Sequence, residues 1–408
     1  MVKEALQIIK DFVKTIPDAY YGHDRTKYIL EEVQNMNVTK KGILIELLNH
    51  ILTVMVDREA SDIEIGGPGT GNYIWFRIQG TKERVKDLPN FKVDEATTLI
   101  SVLFNKNQIK TLFKHRNLDF SYTFRHVKSN SQVRFRADAY FDLDSLALNM
   151  RAISTQIRPL KSLGFHPNAI QAMDHKFIKF GLSLITGITG SGKSTTLDSI
   201  IDYHNQIDPC QIVIIASPIE YVHKSNMSII KHREVGRDVL SFKDGVSQAL
   251  RQDPDIVIIG EMRDPATIMA GLEVADTGHK VFSTLHTSSA IESIDRIIAE
   301  VNPVEQDRVR MRLADILVSV VSQKLIPGQN GKLVLAKEVL VVTPSVKAAI
   351  KNNNTSEIYM MMNQGGHLGM ITMEQDLIRL YQQRLISSDS MIAFANNKTR
   401  IRQLFKAM

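Results

Sequence analysis

The chain has 408 residues, more than the usual ~100 to 200 of a single domain, so two or three domains are expected. With 43% hydrophobic and 23% charged residues it carries too much apolar material for wholesale disorder, and one cysteine, Cys210, excludes an internal disulfide or a Cys/His zinc scaffold. The formal charge of +6, from 50 Lys+Arg against 44 Asp+Glu, reads as a solvated surface rather than a nucleic-acid footprint. No apolar run reaches the ~18 residues of a membrane span, and Lys3, Lys10, Asp11 and Lys14 interrupt the N-terminus, so no signal peptide is expected and a reducing cytosol is the expected compartment.

Leu6, Ile9, Val13 and Ile16 recur at helical spacing, and Tyr28, Ile29, Val33 and Met36 repeat the pattern. After a break at Lys40-Lys41-Gly42, Leu44, Leu48, Ile51, Leu52 and Met55 predict a stronger helix. The period then changes to that of strands. Asp62 to Ile65 and Tyr73 to Ile78 flank the turn GGPGTGN and predict a hairpin. Leu118, Phe120, Tyr122 and Phe124 alternate, as do Val133, Phe135, Ala137 and Ala139, then Leu146, Leu148 and Met150, which predicts half-buried antiparallel strands.

From Gly181 the pattern becomes short continuous apolar runs, LSLIT, QIVIIAS, DIVIIG and KVFSTL, separated by helical segments. Strands buried on both faces indicate a parallel sheet with crossover helices. Past Val342 the chain reads as helical, with Thr372 and Gln375 as a capping box and Met373, Leu377 and Leu380 on the packed face. The expected organisation is an N-terminal helical extension over 1–45, a small α+β domain over 46–158, an α/β domain over 164–350 and a helical region over 351–408. The linker is placed near Arg158-Pro159 to Pro167.

The segment Gly187-Ile-Thr189-Gly190-Ser191-Gly192-Lys193-Ser194 fits G-x-x-x-x-G-K-[ST], with a predicted strand leading in and a helix leading out. That geometry aims backbone N–H groups and a helix N-terminus at a phosphate. Lys193 would reach the β and γ phosphates of a nucleotide, and Ser194 would hold Mg²⁺. Hydrolysis further needs an acid for the magnesium shell and one to orient water, and parallel topology places both at strand C-termini. Glu261 follows the strand IVIIG and Glu220 follows IVIIA in IVIIASPIE. Each alone would pass for a surface acid. His279 and His286 bracket KVFSTL, one at each end of a strand, either as structural histidines or as polar contacts that report the state of the nucleotide.

These residues resemble the secretion and pilus motor ATPases, most closely the PilT-type retraction ATPases of type IV pili. The resemblance spans about residues 46 to 400. GITGSGKST is similar to the family P-loop, SPIEYVHKS to its aspartate box, QALRQDPDIVIIGEMRD to its Walker B region and TGHKVFSTLHTSSA to its histidine box. ASDIEI and RFRADAY resemble the N-terminal PAS-like domain, and NQGGHLGMITMEQDL a stretch beyond the ATPase core. The resemblance implies a RecA-like core that takes ATP and Mg²⁺ and couples hydrolysis to pilus retraction. Thr195 joins the P-loop residues that hold nucleotide. Glu220 aligns with the water-polarising glutamate and Glu261, with Ser194 a magnesium-holding residue, with the Walker B glutamate. Arg151 aligns with an arginine that reaches the γ-phosphate of a neighbouring subunit, and His279 and His286 with the histidine-box pair. It also implies a homohexamer without nucleic acid, acting with an inner-membrane pilus platform protein at the cytoplasmic face of that membrane.

The chain departs from the family at several positions. Ala216 and Ser217 stand where two acids usually precede the aspartate-box proline. Asp144 stands, by equal spacing, where a second arginine is common. Ser345 to Ile350 replaces the retraction-linked AIRNLI segment with Lys347 for its arginine, and its apolar face, Val346, Ala349 and Ile350, is expected to couple nucleotide state to pilus disassembly. The competing expectation is an assembly or secretion ATPase of a type II, type IV or conjugation system. Assembly motors usually carry a four-cysteine zinc insertion, and one cysteine cannot supply it.

Overall fold

The computed structural model describes residues 2–78, 80–126, 131–153 and 157–406. Two compact units, 1–155 and 156–408, divide the chain, and each builds its own core.

Helices α1 (Val2–Lys14), α2 (Gly22–Asn35) and α3 (Val38–Asp57) open the first unit. Asn37 caps α3 by accepting a hydrogen bond from the Thr39 N–H at 2.8 Å, so Lys40, Lys41 and Gly42 lie within the helix and the expected break is absent. The boundary expected between 45 and 46 consequently falls in mid-helix. Ala5 and Ile9 of α1 and Leu30 of α2 share one core with Leu44, Leu48 and Ile51, so residues 1–45 are no separate extension.

The strands β1 (Asp62–Gly66), β2 (Trp75–Ile78) and β3 (Thr81–Arg84) follow, then helices α4 (Val93–Ser101) and α5 (Lys106–His115) and the strands β4 (Asn117–His126), β5 (Ser131–Asp142) and β6 (Ser145–Ala152). They form an antiparallel sheet in the order β3-β2-β1-β6-β5-β4. The predicted hairpin is present, with Ile63 opposite Phe76, and the alternating residues Phe120, Phe124, Phe135 and Ala137 are buried. Asp144 sits at the β5–β6 turn with φ +65°. Its carboxylate meets His23 Nε2 at 2.9 Å and its carbonyl accepts from the Thr26 hydroxyl at 2.9 Å. The acid at this position therefore fastens α2 to the sheet.

In the second unit, Leu160 and Phe165 are already buried in the same core as Ile185 and Ile200, so the stretch expected as a linker belongs to the packed domain. After α6 (Pro167–Met173) come β7 (Gly181–Thr186), α7 (Lys193–Ile207), β8 (Gln211–Ala216), β9 (Ile229–Glu234), α8 (Phe242–Ala249), β10 (Ile256–Ile259), α9 (Pro265–Asp276), β11 (Lys280–Leu285), α10 (Ala290–Ala299) and α11 (Gln306–Ile316). Strands β12 (Leu317–Pro327) and β13 (Leu333–Val341) complete a sheet ordered β13-β12-β7-β11-β10-β8-β9. All neighbours pair in parallel except β12 and β13. Every residue of β7, β10 and β11 is buried, as the continuous apolar runs require. The expected α/β fold class, a parallel core preceded by a small α+β unit and followed by helices, is what the chain forms.

The chain ends in α12 (Pro344–Lys351), α13 (Ser356–Gln364), α14 (Met373–Gln382), α15 (Ser388–Phe394) and α16 (Lys398–Lys406). Thr372 and Gln375 make the predicted capping box on α14. Met373, Leu377 and Leu380 build a small core with Ile326 and Ala336 of the antiparallel arm. Among the described residues no helix is long and apolar enough to cross a membrane.

Candidate nucleotide site

Parallel register brings the C-terminal ends of β7, β11, β10 and β8 to one edge, with Thr186 beside Leu285 and Ile259 beside both Ser283 and Ile215. The chain leaves β7 into the loop 187–192 and enters α7 at Lys193. Gly187 has φ +146°, and a Cβ there would lie 2.3 Å from Ser191 Oγ and 2.5 Å from the Gln323 carbonyl, so only glycine fits. Gly190 and Gly192 also take positive φ, +81° and +88°. Gly192 supplies no side-chain cap to α7, which leaves the first-turn N–H groups of the helix for an anion. Thr189, Gly190, Ser194 and Thr195 are exposed at the mouth, whereas Gly187 and Ser191 are buried.

Lys193 Nζ donates to the Gly187 and Ile188 carbonyls at 2.7 and 3.1 Å. Burial pushes its pKa down, an effect that the nearby Glu261 and Glu220 carboxylates oppose and the Arg263 guanidinium reinforces. Ser191 Oγ is buried without a hydrogen-bond partner. An orphaned hydroxyl, unclaimed helix-terminal N–H groups and a lysine resting on loop carbonyls are together the donor set that a nucleotide phosphate requires.

Glu261 follows β10, and its Oε2 lies 2.6 Å from Arg263 Nε and 3.7 Å from His286 Nε2. His286 follows β11; burial, then Lys193 and Arg263, lower its pKa, which keeps the ring neutral at pH 7. A cavity of about 510 Å³ adjoins these groups, lined by Thr189, Arg263, His286, Arg296 and Glu300. Glu220 lies in the segment after β8 and faces Lys193 electrostatically. Ser194 and Glu261 carry the oxygens suited to magnesium beside the phosphate loop.

Within the second unit, His279 is not gathered here. His279 precedes β11, whose Lys280 pairs with Gly181 while Leu285 pairs with Thr186, so it lies at the opposite edge of the sheet. At ~3.3 Å per residue that places it about 20 Å from the phosphate loop. Its Nδ1 approaches the Val274 carbonyl at 3.2 Å, and it is a strand-end histidine. Arg151 belongs to the first unit, on β6; its Nε donates to the buried Asp62 at 2.8 Å while the side chain remains 69% exposed.

Folding also supplies residues that spacing did not assign. Arg263 pairs with Glu261; its signal was its place in the same strand-end loop. Gln323 Nε2 donates to Thr196 Oγ1 at 2.7 Å and fixes β12 against α7. Glu234, on the strand paired with Ala216, accepts from the Ile219 N–H at 3.1 Å, so a carboxylate steadies the Glu220 segment although Ala216 and Ser217 are not acids. On α12, Val346, Ala349 and Ile350 are buried in the main core, so the apolar face expected to couple to the pilus is not available as a surface. Away from the site, His175, Asp208 and Cys210 each bring a buried donor within 4.8 Å of the others. His175 and Asp208 already pair at 2.7 Å, and the set falls short of the tetrahedral shell of a structural zinc.

The family model described as type II/IV secretion system protein matches residues 37–403. The chain belongs to this family. Among type II/IV secretion system proteins it is 36% identical over 323 residues to a twitching motility protein of Neisseria gonorrhoeae, covering 79% of this chain and 84% of that one. It is 35% identical over 358 residues to the type IV pilus retraction ATPase PilT of Pseudomonas aeruginosa, covering 88% and 99%. The crystal structure of the pilus retraction motor PilT with bound ADP superposes with a TM-score of 0.77 at 35% identity, covering 86% of this chain and 98% of that chain.

Proposed function

We propose that this secretion-system family member is the ATP-hydrolysing motor of type IV pilus retraction. The observation that carries the proposal is the convergence of Lys193, Glu261 and His286 on the phosphate loop, in a chain that follows the retraction motor PilT over nearly its whole length. Ser194 and Glu261 would hold magnesium, which supplies charge neutralisation at the β and γ phosphates when bound. Lys193 leaves its loop carbonyls to meet phosphate oxygens, and the α7 N-terminus and loop amides share the remaining negative charge. Glu220 orients the attacking water and His286, neutral in this setting, offers a hydrogen bond that does not compete with Lys193 for phosphate charge. His279 carries no role in its own subunit under this reading.

The functional assembly is a homohexamer in which Arg151 of one subunit serves the site of the next. Its Nε is held by Asp62, and its exposed side chain leaves the terminal nitrogens for a phosphate. The hexamer acts at the cytoplasmic face of the inner membrane on a pilus platform protein. Purified protein should release phosphate from ATP. Lys193→Ala should lose productive nucleotide binding, and Glu261→Gln should bind ATP and fail to turn it over; near-normal turnover by Glu261→Gln would remove Glu261 from the mechanism. A deletion strain should carry excess surface pili and lose twitching. A bald deletion strain would move the protein to the assembly or secretion branch.

A further inference from the structure

The segment between β8 and β9 carries Glu220 across the edge of the sheet and is fastened both upstream and downstream of that residue. Upstream, the Ile219 N–H donates to Glu234 Oε2 at 3.1 Å. Downstream, Asn205 of α7 donates to the Lys224 carbonyl at 2.8 Å and accepts from the Asn226 N–H at 2.9 Å. Between them His223 reaches α7 by a different bond: its Nε2 lies 3.0 Å from Asp198 Oδ1. The His223 side chain is 1% exposed and that of Asp198 24%. Burial raises the pKa of Asp198 and the bond to His223 opposes that rise; the ionised carboxylate only accepts, so Nε2 carries the proton of this bond. Nδ1 is buried without a hydrogen-bond partner.

We propose that His223 and Asp198 form a positioning pair that sets Glu220 against the phosphate loop, a proposal that rests on reading Glu220 as the group that orients water. Asp198 stands on the helix that Lys193 opens, so the bond refers the Glu220 segment directly to the element that bears the phosphate site. The fixed ring in turn packs edge-on against Tyr221, with centroids 4.7 Å apart at 62°, and Tyr221 is bonded to Glu220 in the chain. The His223 ring also stacks with His232, centroids 6.2 Å apart at 13°, and the His223 backbone N–H donates to His232 Nε2 at 3.0 Å. A hydrogen bond has length and direction that an apolar contact lacks. Leaving Nδ1 unpaired costs about 1–3 kcal/mol, so the pair is not the most stable way to fill this space, and its directionality is the gain.

The test uses the purified full-length protein, phosphate release from ATP, and a binding assay with the same nucleotide. Asp198→Ala and His223→Ala should each lower kcat by about 100-fold, the loss expected for a misplacement of ~1 Å, with ATP affinity retained. Asp198→Asn, which can still accept from Nε2, and His223→Gln, whose amide can donate to the same carboxylate, should recover most of the rate. Against the residual turnover of Glu220→Gln, measured at high enzyme concentration, Asp198→Ala should cause no further loss, whereas general loosening of the fold would lower that residual rate as well. If Glu220→Gln is inactive while Asp198→Ala turns over normally, the pairing is overturned and the reading of Glu220 stands. A conservative variant as poor as its alanine counterpart, or an equal loss from Asp198→Ala in both backgrounds, also overturns it. Full turnover by Glu220→Gln removes the reading beneath it and the pair's role together.

Discussion

At the scale of single residues, the second unit contains side chains whose protonation the fold itself dictates. His204 is almost wholly buried on α7. Its Nδ1 lies 2.8 Å from the Ile200 carbonyl and its Nε2 accepts from the His175 N–H at 3.1 Å, which requires the neutral tautomer with the proton on Nδ1. Burial pushes its pKa down to about 4 from 6.5. In that window the unfolded chain takes up the proton before the folded chain does. The contribution of His204 is therefore complete above pH 6.5 and is lost as pH falls to about 4. At ~1.36 kcal/mol per pKa unit the loss is about 3 kcal/mol. Denaturant unfolding of wild type and His204→Gln at pH 7 and pH 4 should show the variant less stable at pH 7 but less sensitive to acid. Equal acid sensitivity in the two would assign the acid loss to other groups.

At the scale of elements, α12 separates packing from surface chemistry. Thr343 caps it, and Val346, Ala349 and Ile350 belong to the main core, with Ile350 fully buried. Ile350→Ala should cost about 2–5 kcal/mol of stability through the cavity it leaves, read as a lower denaturation midpoint, and would impair motor function through stability. Lys347 donates to the Asp315 carbonyl at 2.9 Å, at the end of α11, where a cation is favoured. Lys347→Ala should cost no more than about 1.5 kcal/mol. A far larger loss at Lys347 than at Ile350 would contradict this division. The same contrast marks what was legible in the sequence. Strands β7, β8, β10 and β11 were readable because both faces are buried, which leaves unbroken apolar runs. The antiparallel arm was not, since β12 begins at Leu317 directly after α11 ends at Ile316, with no turn residue between them. Strand β9, IIKHRE, lies at the sheet edge and mixes charge with apolar residues. Lys193, Glu261 and His286 were legible because topology places strand ends together. Asp198 and His223 meet across 25 positions, and no spacing rule announces a pair made only by folding.

At the scale of the whole molecule, the chain builds two compact units and carries the proposed site on the second, with Arg151 on the first. Asp62 is buried and holds Arg151 by one side of its guanidinium, an arrangement that orients the group without consuming its outer face. If that face serves a neighbouring subunit, the two halves of a working site come from different chains. An arginine of this kind can contribute about 10³ to 10⁵ in rate, so Arg151→Ala should bind ATP normally and barely hydrolyse it. Lys193→Ala lacks the phosphate lysine but retains Arg151. In a ring assembled from equal amounts of the two variants, roughly a quarter of the interfaces join an intact phosphate loop to an intact arginine. Phosphate release should therefore reappear in the mixture although each protein alone is inactive, and should vanish as either variant comes to dominate. With subunit exchange demonstrated, silence at every ratio would place the arginine outside the shared site.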